Sequence, residues 1–255
     1  MASLTLSRYS EDKADHRLLA NRLAALTQFP VAVPNYRLTD TSSHGEDHLR
    51  HPSHAEDILQ FLTFLITWSG PPDFGNGLPP YNPREIYVIG HSCSAHMLAS
   101  IFLDTSAVTP SLTPPRALSD AVHAIVMSEG IYDLDLLLAS FPAYREFFVE
   151  DTFGPNESYS EYCVTAVPLR TTEPRMRWLI VHSKGDTLVD ISQSEAMYSH
   201  LVQLHSATSV ERVFRNTSEL DGEHNAILRG EHYARIVGSF ILGDHSQYGL
   251  NNGHR

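Results

Sequence analysis

The chain alternates short apolar, β-branched runs with longer stretches of helical period. Residues 11–28 carry Leu18, Leu19, Leu23 and Leu26 at helical spacing behind an acidic first turn, which predicts an amphipathic helix. Residues 30–38 (PVAVPNYRL) predict a short strand running into a loop. Residues 55–68 (AEDILQFLTFLITW) predict a long helix. Residues 85–89 (EIYVI) read as a strand buried on both faces, and GHSCSAHMLASIFL follows at once as a turn into a helix. Two further strands fall at 121–127 (AVHAIVM) and 178–182 (WLIVH), and a last one at 209–214 (SVERVF). Helices are predicted over 190–205 and 229–242. Residues 40–54, 69–84 and 104–119 are polar or Gly/Pro-rich loops. Residues 133–177 mix helix and loop with many aromatics and read as an inserted cap or lid. No internal repeat is visible. Strand and helix in alternation predict the α/β class, a mostly parallel sheet with helices on both faces, and residues 1–255 read as one domain.

Composition narrows the function. A chain of 255 residues can bury a sizeable core, and 42% hydrophobic with 19% charged residues excludes disorder as its main state. The formal net charge of −12 repels phosphate backbones and anionic lipid, which argues against nucleic acid or a membrane as partner. A small-molecule substrate is the expected partner. Oligomeric state is left open, with a homodimer among the options. Cys93 and Cys163 are too few for a disulfide scaffold, and neither belongs to a CxxC pair. The first residues lack the basic start and apolar stretch of a secretory signal, and no apolar run approaches the ~20 residues of a membrane span. The expected location is the cytoplasm.

The chemistry centres on Gly90-His91-Ser92-Cys93-Ser94. This matches the nucleophile elbow G-x-S-x-G except at its last position, and it sits between a strand and a helix as the elbow requires. Small residues are needed where strand and helix pass close together, and Ser94 adds a side chain there. A serine hydroxyl needs a base within reach, and the base needs an acid to orient it. Asp186 lies just past WLIVH in the turn SKGD, with Asp190 as rival acid. His224 lies in a late loop, with His205 and His232 as weaker rivals because both read as helical. The order Ser92, Asp186, His224 is that of the α/β-hydrolases. The histidines at 44, 48, 51 and 54 raise the question of a metal, but they lack a helix register and a nearby cysteine or carboxylate set, so no metal is expected.

Several stretches resemble the fungal kynurenine formamidases of the α/β-hydrolase superfamily. They are NYRL (35–38), HPSHAEDILQFL (51–62), IGHSCSAHM (89–97), EGIYDLDLLLASFPAYREFFVEDTFG (129–154), VHSKGDTLVDISQS (181–194) and GEHN (222–225). The resemblance spans residues 11 to about 240, and the EGIYD stretch is its most specific part. It implies hydrolysis of N-formyl-L-kynurenine to L-kynurenine and formate, in tryptophan degradation towards NAD, with no metal or organic cofactor. It makes Ser92 the nucleophile, Asp186 the acid, His224 the base and the Cys93 N–H an oxyanion donor. Substrate-binding residues are not assigned, although Tyr132, Phe141, Tyr144 and Phe147 are candidates for packing a ring. The alternatives are a broad-specificity carboxylesterase and a catalytically impaired or non-catalytic relative.

One departure stands out. The family carries an HGG-type motif before the first helix that ends a strand and supplies further oxyanion donors. No HGG occurs in this chain, which reads as truncated or begun at an alternative start. Loss of that strand should leave strand 30–36 short of a neighbour, with residues 2–6 (ASLTL) as a partial substitute. Loss of one donor typically costs roughly 10²–10³ in rate.

Overall fold

The computed structural model describes residues 12–39, 49–70, 79–170 and 176–243. Among these, four strands form one parallel sheet in the order β1-β2-β3-β4: β1 is Ile86–His91, β2 Val122–Ser128, β3 Arg177–Val181 and β4 Val213–Asn216. The helices are α1 Arg17–Thr27, α2 Ser53–Thr67, α3 Cys93–Phe102, α4 Arg116–Ala121, α5 Leu134–Ser140, α6 Glu150–Phe153, α7 Ile191–His205, α8 Ser209–Arg212 and α9 Glu231–Leu242.

Alternate residues of each strand feed two cores, as the period of two requires. Val88, Ile125, Met127, Trp178 and Ile180 pack with α2, α3 and α7. Ala124, Val126, Leu179, Val181 and Phe214 pack with α1 and α9. The helices answer with apolar stripes: Leu19 and Leu23 on α1, Ile58, Leu59 and Leu62 on α2, and Tyr233, Ile236, Val237 and Phe240 on α9. α9 stops at Gly243, whose φ of 79° is the left-handed conformation that glycine adopts without strain.

The register places the site. His91 pairs with Ser128, Ser128 with Val181, and Val181 with Asn216. The carboxyl ends of all four strands therefore lie in one row, where open α/β sheets place their ligands.

Two strand expectations need correction. Residues 30–38 form no strand. Pro30 and Pro34 have no N–H to donate, and among the described residues a cavity of about 410 Å³ lies opposite them. That cavity runs between Phe29–Pro34 and the edge of β1 that has no strand neighbour among the described residues, and Ile86, Tyr87, Val88 and Ile89 line it. The final strand starts later than expected, because Ser209–Arg212 is a helical turn. Residues 2–6 lie outside the described residues.

Candidate active site

Ser92 forms the turn between β1 and α3. Its φ of 57° and ψ of −125° are unusual for any residue but glycine. Two backbone bonds hold it there: its N–H donates to the Ser128 carbonyl at 2.9 Å, and its own carbonyl accepts from Ala95 N–H at 3.0 Å. Gly90 allows the close passage of strand and helix, since a Cβ on it would stand 2.7 Å from the Ser94 carbonyl oxygen. Ser94 fits because it lines the cavity beside β1, where there is room for its side chain. Cys93 opens α3, so its N–H is among those with no partner inside the helix. Burial pushes the Cys93 thiol up to about 12, so it is not a reactive thiolate.

Asp186 and His224 meet. His224 Nδ1 lies 2.8 Å from Asp186 Oδ2, and both side chains are buried. The other carboxylate oxygen, Oδ1, accepts from Leu188 N–H at 2.8 Å and Val189 N–H at 3.1 Å. The acid is thereby fixed on one oxygen and presents the second to the imidazole. Ser92 Oγ and His224 Nε2 have no hydrogen-bond partner among the described residues. Bonds of this kind often tighten only when substrate binds.

The rivals stand elsewhere. Asp190 caps α7 by accepting from Ser192 N–H at 3.0 Å. His205 ends α7, and His232 pairs with Glu219 at 2.9 Å near the surface.

Two residues that the sequence reading did not single out complete the cluster. Glu129 follows β2 with a left-handed φ of 48°, and its Oε2 lies 3.2 Å from the same His224 Nδ1. It is wholly buried, and burial, with the charge of Asp186 second, raises its carboxyl to about 9. His91 lies tilted against the His224 ring, with centroids 4.6 Å apart, and its Nδ1 lies 3.0 Å from Ser128 Oγ. Ser128 Oγ in turn meets the Tyr233 hydroxyl at 2.9 Å. Burial holds the His91 imidazole well below its ordinary range. The visible signal was polarity out of place: a glutamate two residues beyond the apolar run AIVM.

His44 and His48 lie outside the described residues. His51 packs its ring against His96, Phe153 and Tyr162, and burial lowers its pKa well below the ordinary value. His54 Nε2 meets Thr39 Oγ1 at 2.9 Å. Among the described residues, His91, Glu129 and His224 are the one set whose donor atoms lie close enough to surround an ion. His224 Nδ1 is already committed to Asp186, so the set reads as buried polar groups gathered around one imidazole. Of the aromatics proposed to pack a ring, Tyr132 is fully buried in the core. Phe141 and Tyr144 stack at 5.0 Å, and the Tyr144 hydroxyl donates to the Leu188 carbonyl at 3.1 Å, beside the acid. Phe147 stands edge-on to Tyr144 at 5.6 Å and is half exposed.

A parallel sheet with a strained serine at one strand end, and an acid and a histidine joined beyond two others, defines the α/β-hydrolase fold. Solved structures agree: a carboxylesterase of Lactobacillus plantarum superposes with a TM-score of 0.57 at 15% identity, over 96% of this chain and 83% of its own. Within that fold the chain resembles the kynurenine formamidases. The one from Meyerozyma guilliermondii is 24% identical over 80% of this chain and 68% of the relative. That from Scheffersomyces stipitis is 23% identical over 72% and 68%. No protein-family model matches the chain.

Proposed function

We propose that this chain is a serine hydrolase that cleaves N-formyl-L-kynurenine to L-kynurenine and formate, in tryptophan degradation towards NAD. The observation that carries the reading is the 2.8 Å contact between Asp186 and His224 at the strand ends that also bear the strained Ser92. Similarity to the kynurenine formamidases supports the choice of substrate.

In this mechanism His224 Nε2 takes the proton of Ser92 Oγ as that oxygen attacks the formyl carbon. Asp186 holds the Nδ1–H tautomer and stabilises the imidazolium. The Cys93 N–H faces the developing oxyanion. Collapse breaks the C–N bond, and His224 returns its proton to the departing aryl amine. Water, deprotonated by His224, then attacks the formyl-enzyme and frees formate with Ser92 restored.

The test is release of L-kynurenine from N-formyl-L-kynurenine by purified protein, with Ser92→Ala as control. Ser92→Ala is expected to lower kcat by about 10⁴-fold or more. Hydrolysis of short acyl esters without release of kynurenine would replace this reading with that of a carboxylesterase.

A further inference from the structure

The imidazole of His224 faces two carboxyl groups through one nitrogen. Asp186 Oδ2 stands 2.8 Å from Nδ1 and Glu129 Oε2 stands 3.2 Å from it. Serine hydrolase chemistry of the kind proposed above needs only one acid there. Glu129 is costly to keep in that place. It is fully buried, its backbone has a left-handed φ, and Oε2 has no hydrogen-bond partner among the described residues.

The surrounding structure forces it inwards. Its N–H donates to the Val181 carbonyl at 2.9 Å, and its Oε1 accepts from Ser183 N–H at 3.3 Å. Gly130 follows, at a position where a Cβ would stand 2.2 Å from the Tyr132 hydroxyl and 2.7 Å from Ala95 Cβ. Glu129 is thus anchored at both ends, by β3 and by the packing behind Gly130.

Resting on the hydrolase reading, we propose that Glu129 is a second acid partner of His224, a positioning residue that orients the imidazole and substitutes for Asp186 when that charge is removed. Two like carboxyls this close cannot both ionise readily, so one keeps its proton. Asp186 receives two backbone N–H bonds on Oδ1, whereas Glu129 receives one long bond, so the proton resides on Glu129. Loss of the Asp186 charge removes part of what keeps Glu129 neutral. Glu129 can then ionise and accept the Nδ1–H. The titratable groups facing Glu129 and Asp186 include His91 from β1, His182 from just past β3, His224, Tyr233 from α9 and Tyr144.

The experiment measures the rate at which a fluorophosphonate labels Ser92, a readout that does not depend on the identity of the substrate. Asp186→Asn keeps an acceptor for Leu188 and Val189 but turns a donor towards His224, which in an ordinary triad costs about 10⁴-fold. Here the expected loss is under about 10²-fold. The double variant Asp186→Asn with Glu129→Gln should show the full loss of about 10⁴-fold, while Glu129→Asp in the same background retains part of the rate. The labelling rate of Asp186→Asn should also rise with pH as Glu129 ionises, and the double variant should lack that rise. If the double variant fails to fold by circular dichroism, Glu129→Gln alone decides: wild type is expected to show an alkaline limb near 9 in its labelling profile, and Glu129→Gln should lack it. A full 10⁴-fold loss in Asp186→Asn, or an unchanged alkaline limb in Glu129→Gln, overturns the proposal. Wild-type protein that does not label, or that labels equally well as Ser92→Ala, overturns the hydrolase reading and this inference with it.

Discussion

Ser92 holds φ at 57°, a conformation that costs on the order of 1–3 kcal/mol for a residue with a side chain. That cost persists because the bonds to Ser128 and Ala95 fix the backbone from both sides, and because Gly90 lets β1 pass against α3. Gly90→Ala would set a Cβ 2.7–2.9 Å from backbone atoms of Ser94 and Ala95, which cannot swing aside as a side-chain tip can. The expected outcome is a loss of about 1–3 kcal/mol in urea unfolding, together with slower fluorophosphonate labelling of Ser92. Unchanged labelling would mean that the turn does not need this close approach. At this scale the sequence singled out Ser92, Asp186 and His224 as candidates, since each stands at or beyond a strand end. It did not expose Glu129 or His91. A motif reading weighs residues by type and spacing, whereas these two matter through a left-handed backbone and a tilted ring contact that no spacing encodes. The substitution of Ser94 for the usual glycine was legible as a departure. Why it is tolerated became clear only with the cavity that it lines.

The acid turn and the histidine loop behave as one unit. Pairing of β3 with β4 continues past the strand ends, with His182 N–H donating to the Asn216 carbonyl at 2.9 Å and Lys184 N–H to the Leu220 carbonyl at 2.9 Å. Ser183 Oγ adds a bond to the Gly222 carbonyl at 2.6 Å. Gly185 sits at the seam, where a Cβ would stand 2.1 Å from the Asp221 carbonyl oxygen. Gly185→Ala must therefore push the two loops apart and draw Asp186 from His224. A shift of about 1 Å can cost 10²-fold in rate, so labelling of Ser92 should fall by at least about tenfold. Retention of the wild-type rate with a normal melting temperature would show that the seam does not set the distance between acid and base. The strands of this unit were legible because β2 and β3 are central and buried on both faces, which demands continuous apolar runs. The run at 30–38 has the same apolar character, yet it forms no strand. A strand is completed by its neighbour, and a local pattern cannot report that the neighbouring position is a cavity.

At the scale of the molecule, buried histidines dominate the dependence of stability on pH. Burial lowers the pKa of His51, His91, His96, His182, His200 and His205, with His96 and His205 reaching about 4. Between those values and the ordinary 6.5 the unfolded chain binds more protons than the folded one, so stability falls as pH drops below about 6.5. A drop of this size in pKa is worth on the order of 3 kcal/mol for a fully buried group such as His96. Glu129 acts in the opposite sense. Its carboxyl, raised to about 9, keeps a proton in the folded state that the unfolded chain has lost, so its contribution declines as pH rises from about 4.5 to 9. Several histidines oppose one glutamate between pH 4.5 and 6.5, and the histidines win. Above 6.5 only the glutamate remains, and the decline is shallow. Urea unfolding between pH 4.5 and 9 should therefore give a steep acid limb, a maximum near pH 6.5–7 and a gentle alkaline slope. His205 is the test of cause, because it closes α7 away from Ser92 and neither of its ring nitrogens has a partner among the described residues. His205→Leu should flatten the acid limb without altering the alkaline slope. An acid limb as steep as that of the parent would assign the loss of stability to other groups.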